Sequence, residues 1–322
     1  MRPRAPFRSA TLFAALGLAS VAAVGALARP AAAGTTTGFA FLNLPAGARA
    51  AALGGAYTAL ADDPTAAFWN PAGIAAATPL TGKDEMAVTG VHHESIQNFR
   101  QDLVAATWRR GGDGLSLAFN SHYTGGIDGT DAIGNPLGTF GASDFAIAGG
   151  YAVAVAPGAR LGGTLGWVSE SIAGVSASTL TFSLGGLYAP AGVAGLTLGA
   201  AVRQIGGSPR FATVDGAEGE SVSQPLTLAG GASYAGGKPS LRWLLSGEVS
   251  KLKGEDVEAR AGLEVRPATA LALRAGWMFG QDAADLTAGA GVGVGDVTFD
   301  YAYVPYHDDL GSSHRAGLTA RF

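Results

Sequence analysis

Three pairs of adjacent residues have the side-chain types that bind metal ions: His92–His93, Asp62–Asp63 and Asp308–Asp309. Neighbouring residues of a strand point to opposite faces, so the two imidazoles cannot share one metal ion. Asp62–Asp63 could ligate calcium, but the proline that follows favours a helix cap or a turn. Asp308–Asp309 falls in a predicted outer loop, where it could bind divalent cations near lipopolysaccharide. We predict no resident metal and no cofactor.

Catalytic motifs are missing from the sequence. We find no nucleophile elbow, no phosphate-binding loop and no cysteine. The run from Gly289 to Gly295 alternates strictly, whereas a dinucleotide-binding fingerprint would require its last glycine at Val294. The sequence therefore predicts no catalytic residues and a protein that is not an enzyme.

Charged residues instead alternate with apolar ones, most clearly over residues 256–266. Leu263 and Val265 fall on one parity, and Glu258 and Arg266 fall on the other. This period predicts a strand with an apolar and a polar face, as in a membrane barrel whose polar face lines the lumen. The lumen charges could form a conduit or a docking surface, or could pair with one another; we favour pairing, with docking of a plug as its consequence. The candidate lumen charges are Glu248, Glu258, Arg260, Glu264, Arg266, Arg274, Asp300, Arg315 and Arg321.

Fourteen such runs follow one another from Glu85 to the end of the chain. Hydrophobic residues make up 48% of the sequence, yet beyond the first thirty positions no apolar run reaches the ~20 residues of a transmembrane helix. An even strand number is typical of bacterial single-chain barrels. We predict an all-β fold, a 14-stranded antiparallel transmembrane β-barrel over residues 84–322. The predicted strands are 85–92, 101–110, 115–123, 143–155, 159–170, 178–188, 195–205, 225–235, 240–251, 255–266, 269–278, 285–294, 296–303 and 314–322.

The connections between these strands alternate in length. Those that follow even-numbered strands are tight, as at 111–114 and 156–158, while most others are longer, as at 124–142, 171–177 and 206–224. Bacterial barrels have short periplasmic turns and longer outer loops. Both ends of the barrel chain are therefore expected in the periplasm.

The last strand alternates polar and apolar residues and ends in Phe322. Such a strand resembles the signal that the outer-membrane assembly machinery reads, so we expect that machinery and outer-membrane lipid as partners. Tyrosine and tryptophan fall on the outward parity of the strands, which suits interfacial girdles or follows from ordinary β-propensity.

Residues 1–33 have the features of a signal peptide. Arg2, Arg4 and Arg8 form a basic start, residues 11–26 are apolar, and small residues precede Gly34. Cleavage there removes four arginines, Arg29 included, and changes the formal charge from −4 to −8. An acidic mature chain argues against nucleic acid as a partner. We expect the mature protein in the outer membrane of a Gram-negative-type bacterium.

The segment between signal peptide and barrel, residues 34–83, has no strand period. It is rich in alanine and glycine, and its turn and cap signals predict short helices. Fourteen strands enclose more space than their own side chains fill, since about eight is the filled limit. We predict that residues 34–83 form a small, partly helical hatch inside the barrel. The glycines from Gly289 to Gly295 leave room for such a plug or relieve curvature, and both interpretations stay open.

Both ends of the mature chain resemble a known family. GARAAALGGA at 47–56, ADD at 61–63 and WNPAG at 69–73, together with DYAYVP at 300–305, look like motifs of the PorV/PorQ family, whose barrels belong to the wider FadL-like group. The resemblance implies a fourteen-stranded barrel with an N-terminal hatch. The matching hatch motif is Gly54, Gly55, Asp62, Asp63, Trp69, Asn70, Pro71, Ala72 and Gly73.

This resemblance implies two functions. The first is non-catalytic protein export or surface attachment of the type IX secretion kind, with secretion components or cargo as partners. The alternative is a FadL-like channel for long-chain fatty acids or other hydrophobic compounds, with a hydrophobic small-molecule ligand. Six apolar residues would then line a pocket beside the hatch or, as we favour, pack the hatch into the barrel. They are Phe39, Phe41, Leu42, Leu44, Phe68 and Trp69.

Overall fold

The computed structural model of the chain describes residues 37–77, 83–212, 218–281 and 283–322. The predicted signal peptide, residues 1–33, lies outside these ranges. Within them, no helix is long and apolar enough to cross a membrane.

Fourteen antiparallel strands form one closed barrel, which confirms the predicted fold class. They are β1 (Glu85–Glu94), β2 (Arg100–Arg110), β3 (Asp113–Thr130), β4 (Pro136–Ala156), β5 (Ala159–Ile172), β6 (Val175–Tyr188), β7 (Leu196–Gly206), β10 (Thr227–Lys238), β11 (Leu241–Leu252), β12 (Val257–Ala268), β13 (Leu271–Phe279), β14 (Leu286–Val294), β15 (Val297–Pro305) and β16 (Ser312–Arg321). A separate two-stranded sheet, β8 (Arg210–Ala212) and β9 (Glu218–Ser221), lies between β7 and β10 in the chain. β1 pairs with β16 and closes the barrel.

The predicted alternation places side chains on the expected faces. In β12, Glu264 is buried in the lumen, while its neighbour Leu263 points outward and is exposed. Trp108, Trp167 and Tyr301 are among the aromatic residues on the outer surface. A closed barrel with an apolar outer face satisfies every strand hydrogen bond within lipid, and the protein is accordingly an outer-membrane barrel.

Two predicted loops are in fact paired strand. Residues 124–142 continue β3 and β4 into a hairpin whose connection is only 131–135. Residues 171–177 extend β5 and β6 to a two-residue turn, because Ala173 and Gly174 both adopt the positive φ that such a turn needs. We call the end of the barrel that carries these connections the long-loop end and the opposite end, where β1 begins and β16 finishes, the terminal end.

The hatch occupies the lumen. Its helices are a 3₁₀ turn (Ala40–Asn43), α1 (Ala48–Ala52), α2 (Ala66–Trp69) and a second 3₁₀ turn (Pro71–Ile74); a further 3₁₀ turn (Ile96–Asn98) joins β1 and β2. Leu53, Tyr57 and Ile74 are fully buried in the largest apolar cluster of the described residues. Small hatch residues keep these short helices close to the wall, so the barrel core consists of hatch packed against inward-facing side chains.

Candidate functional site

Glycines on the inner wall let the hatch backbone approach the strands. A Cβ atom built on Gly185 would lie 2.0 Å from Asn70 Oδ1, and one built on Gly276 would lie 2.1 Å from the backbone nitrogen of Gly54. Neither contact is possible for a residue with a side chain. The stripe at 289–295 is divided: Gly289 faces Ala52 of the hatch at 2.4 Å, but nothing of the hatch lies near its later members.

Asn70 joins the hatch to itself and to the wall. Its side-chain nitrogen donates to the carbonyls of Thr58 at 2.8 Å and Gly186 at 3.0 Å, and its Oδ1 accepts from the backbone of Ala72 at 3.1 Å. The last bond caps the 3₁₀ turn that Pro71 begins. The motif around Asn70 is therefore a fully buried anchor of the hatch.

A cluster of ion pairs joins α1 to the last strands. Glu264 on β12 binds Arg49 at 2.9 Å, Arg274 at 2.7 Å and Arg266 at 2.8 Å. Arg49 also binds Asp62 at 2.6 Å, and Arg274 binds Asp300 at 2.7 Å. The candidate lumen charges thus pair with one another and hold the hatch at the same time.

Electrostatics keep the hatch part of this cluster ionised. Desolvation inside the barrel would raise the pKa of Asp62, but the guanidinium of Arg49 outweighs it and holds this pKa below its usual value. Desolvation raises the pKa of Tyr57, whose hydroxyl donates to the Asp63 carboxylate; that neighbouring charge raises it further. Asp62 therefore remains a carboxylate, and Tyr57 a neutral donor, at ordinary pH.

Glu248 on β11 binds the hatch backbone directly. Its Oε2 accepts from the amides of Tyr57 at 3.0 Å and Thr58 at 2.8 Å. Its other oxygen lies 3.7 Å from Arg260, which also pairs with Glu258. Of the two remaining candidates, Arg321 is exposed at the terminal end and Arg315 is buried apart from this cluster.

Four arginines that hold the hatch against the wall were not predicted from the sequence. Arg49 lies in the hatch itself, and the other three lie on the wall. Arg109 donates to the carbonyls of Asp62, Gly73 and Ile74. Arg160 donates to the carbonyl of Ala75, and Arg203 donates to that of Trp69. The three wall arginines lie on the polar parity of β2, β5 and β7, so the alternation used for the later strands could have found them.

A cavity of about 270 Å³ lies above the hatch, toward the long-loop end. Leu42, Leu44, Phe68 and Trp69 of the hatch give it an apolar floor. Phe39 and Phe41 do not line it and pack instead in a separate apolar cluster. The wall contributes mainly polar groups: Asn120, Arg203, Gln204, Thr227, Ser250, Leu252, Glu258, Arg260, Met278 and Gln281. The pocket is therefore amphipathic, with an apolar floor and a largely polar wall that could orient a small molecule.

Within the described ranges, no group of three or more His, Cys, Asp or Glu side chains is placed to hold a metal ion. His92 is exposed on the outer surface and His93 is buried in the lumen, as the strand period predicts. Asp308 and Asp309 are exposed at the long-loop end.

Comparisons with known proteins show the fold. A family model described as an uncharacterised protein family (UPF0164) matches residues 16–159. No curated protein sequence matches the chain. The CymD monoaromatic hydrocarbon channel is 12% identical with a TM-score of 0.58, and covers 85% of this chain and 96% of its own. The P. putida toluene transporter TodX is also 12% identical with a TM-score of 0.58, and covers 86% of this chain and 97% of its own. The chain has the same closed-barrel fold as these two channels.

Proposed function

We propose that this protein is an outer-membrane channel for small hydrophobic compounds. The amphipathic pocket at the long-loop end carries this proposal, because it has an apolar floor beside a hatch that fills the route to the terminal end. The two channel structures of the same fold, one described for monoaromatic hydrocarbons and one for toluene, support a small apolar substrate. The pocket volume of about 270 Å³ suits a single ring better than a long chain.

In this proposal each segment of the chain has one task. Residues 1–33 direct secretion and are removed, residues 34–83 form the hatch, and residues 84–322 form the barrel. The long-loop end faces the outside and the terminal end faces the periplasm. The substrate enters the pocket from outside the cell, and its passage to the periplasm requires the hatch to move away from the wall.

Filling the pocket should block passage. We expect Leu252→Trp, on the lumen face of β11, to reduce toluene uptake to the level of cells without the protein, because an indole occupies the space that the substrate needs. The measurement is the initial uptake rate of labelled toluene by cells that express each variant. Leu245→Trp is the matched control, since it lies on the same strand but faces lipid. Equal uptake by both variants would remove the pocket from the transport route.

A second function, protein export or surface attachment of the PorV/PorQ kind, is favoured by a different observation. The β3–β4 hairpin extends beyond both neighbouring strands, since β2 pairs only as far as Tyr123 and β5 only as far as Ala142. About seven residues of each arm project, roughly 20 Å at strand spacing. Ile133 is 85% and Leu137 71% exposed near its tip, a platform for a protein partner.

Shortening this hairpin tests the second function. We expect deletion of residues 126–140, replaced by Asn-Gly, to leave the barrel folded and to deplete exported proteins from the cell surface, because the partner loses its platform. Quantitative proteomics of surface and periplasm measures the effect. Toluene uptake by the same strain serves as the control for an intact barrel. An unchanged surface proteome would count against export and leave the channel as the sole proposal.

A further inference from the structure

Arg315 on β16 is buried, and it has no bonded partner among the described residues. Five arginines are buried among the described residues, and four of them donate to carbonyl or carboxylate oxygens: Arg109, Arg160, Arg203 and Arg274. Arg315 makes no hydrogen bond or ion pair with any of the described residues, and its Nε is buried and unbonded. A buried charge without a partner costs several kcal/mol, so this guanidinium calls for an anion that the described residues do not supply.

Three polar residues lie in one row with Arg315. Arg315 pairs in register with His93, His93 with Gln101, and Gln101 with His122, so the four form one row across β16, β1, β2 and β3. Neighbouring members are about 4.8 Å apart along the wall. Two of the four, Arg315 and His122, have a buried nitrogen (Nε and Nε2) without a hydrogen-bond partner among the described residues, whereas His93 interacts with the side chain of Gln101. Buried polar atoms of this kind need a partner, which can be a water molecule, an ion or a ligand.

The imidazoles can act as donors without carrying charge. Ser313 Oγ lies 2.7 Å from His93 Nε2. When this hydroxyl donates to Nε2, the neutral ring holds its proton on Nδ1. His122 Nε2 is a donor in one of its two tautomers. The row therefore offers a guanidinium fork and the Nε2–H of His122 to one bound anion.

Other charged groups near the row do not satisfy Arg315. Asp144 and Glu170 continue the same row beyond His122, four and five strands from β16. Glu170 is engaged, because it accepts the backbone N–H of Phe39. The hydroxyl of Tyr306 interacts electrostatically with Arg315 but is directed to Ser95 at 3.5 Å.

We propose that the Arg315 row binds the carboxylate of a small hydrophobic acid. A guanidinium fork matches the planar carboxylate in two parallel hydrogen bonds. The Phe41 ring lies 5.5 Å from that of His122 and supplies an apolar neighbour for the rest of the ligand. Asn120, which accepts from Gln101 at 2.9 Å, also lines the pocket and so connects the two. The inference rests on the proposed channel function, because the acid reaches the row through the pocket.

Calorimetric titration of the purified full barrel in detergent tests this site with benzoate, its neutral analogue benzyl alcohol, and inorganic phosphate. We expect the wild type to bind benzoate about tenfold more tightly than benzyl alcohol, the effect of one charge-assisted bidentate contact. Arg315→Gln should remove this preference and leave benzyl alcohol binding unchanged. Arg315→Lys, which keeps the charge but loses the fork, should fall between the two. Arg321→Gln is the matched control, because it lies on the same face of the same strand but is exposed.

Benzoate binding that is unchanged in Arg315→Gln would overturn the proposal, as would wild-type binding of phosphate as tight as that of benzoate. The thermal unfolding midpoint of Arg315→Gln should equal or exceed that of the wild type, because the substitution removes an uncompensated charge; a large decrease would indicate a structural partner instead. The channel proposal fails separately, when Leu252→Trp takes up toluene normally while benzoate preference still depends on Arg315.

Discussion

Glu264→Gln is expected to cause the largest loss of stability of any single substitution in the lumen. Glu264 is 4% exposed in its side chain and binds three guanidinium groups. In the variant, Arg49 keeps its ion pair with Asp62, and Arg274 keeps its ion pair with Asp300. The negative charge that Arg49, Arg266 and Arg274 share is lost. Loss of one partner of a buried ion pair costs about 3–5 kcal/mol. The midpoint of denaturant unfolding in detergent micelles, followed by the heat-modifiable band of the folded barrel, measures it.

The control for this substitution is Glu255→Gln. Glu255 is an exposed carboxylate in the β11–β12 connection, and its side chain has no ion pair among the described residues. Removing its charge should change stability by less than about 1 kcal/mol. Equal midpoints for both variants would mean that water in the lumen, rather than Glu264, compensates the arginines.

Gly276→Ala is expected to displace the hatch and open the barrel. Its new methyl carbon would lie 2.1 Å from the nitrogen of Gly54 and 2.3 Å from the carbonyl carbon of Leu53. Both neighbours are backbone, so they cannot rotate away, and the hatch must shift from the wall. The barrel itself should stay closed, since β13 keeps its pairing with β12 and β14. Single-channel recordings in planar bilayers should therefore show a steady conductance that the wild type lacks.

Gly230→Ala provides the comparison, because a Cβ atom at Gly230 on β10 would meet nothing within 4 Å. It changes the same residue type in the same kind of strand, yet it leaves the hatch untouched. We expect wild-type conductance from this variant. A closed channel in Gly276→Ala would show that the hatch can adjust its path without leaving the wall.

The barrel was predictable because its signal is local and repeated. Period-two alternation predicted all fourteen strands and the faces of Leu263 and Glu264, and strand faces depend only on the parity of neighbouring residues. The ends of the strands were harder to predict from the sequence. The sequence 124–142 is rich in glycine and polar residues, which are typical of loops, but the paired arms of the hairpin form strand regardless.

The docking of the hatch was much less predictable. Mutual pairing of the lumen charges was expected, and Arg260 does lie beside Glu248, but the sequence did not indicate that Arg274 would pair with Glu264 and Asp300. Gly185 and Gly276 look like ordinary strand glycines, since the groups that they admit are over a hundred residues away in the chain. Partner choice across a lumen depends on curvature and shear, which no local pattern encodes.

The hatch is fixed by strands from every part of the barrel, and this has a consequence for how the chain assembles. Arg109 on β2, Gly186 on β6, Glu264 on β12 and Thr287 on β14 all bind it. The bond between Arg49 and Glu264 spans 215 residues of sequence. Contacts this distant form late, because the closure of long loops is slow. The hatch precedes the barrel in the chain, yet it reaches its final position only when nearly the last strand is in place. We therefore expect barrel closure and hatch docking to occur in a single step.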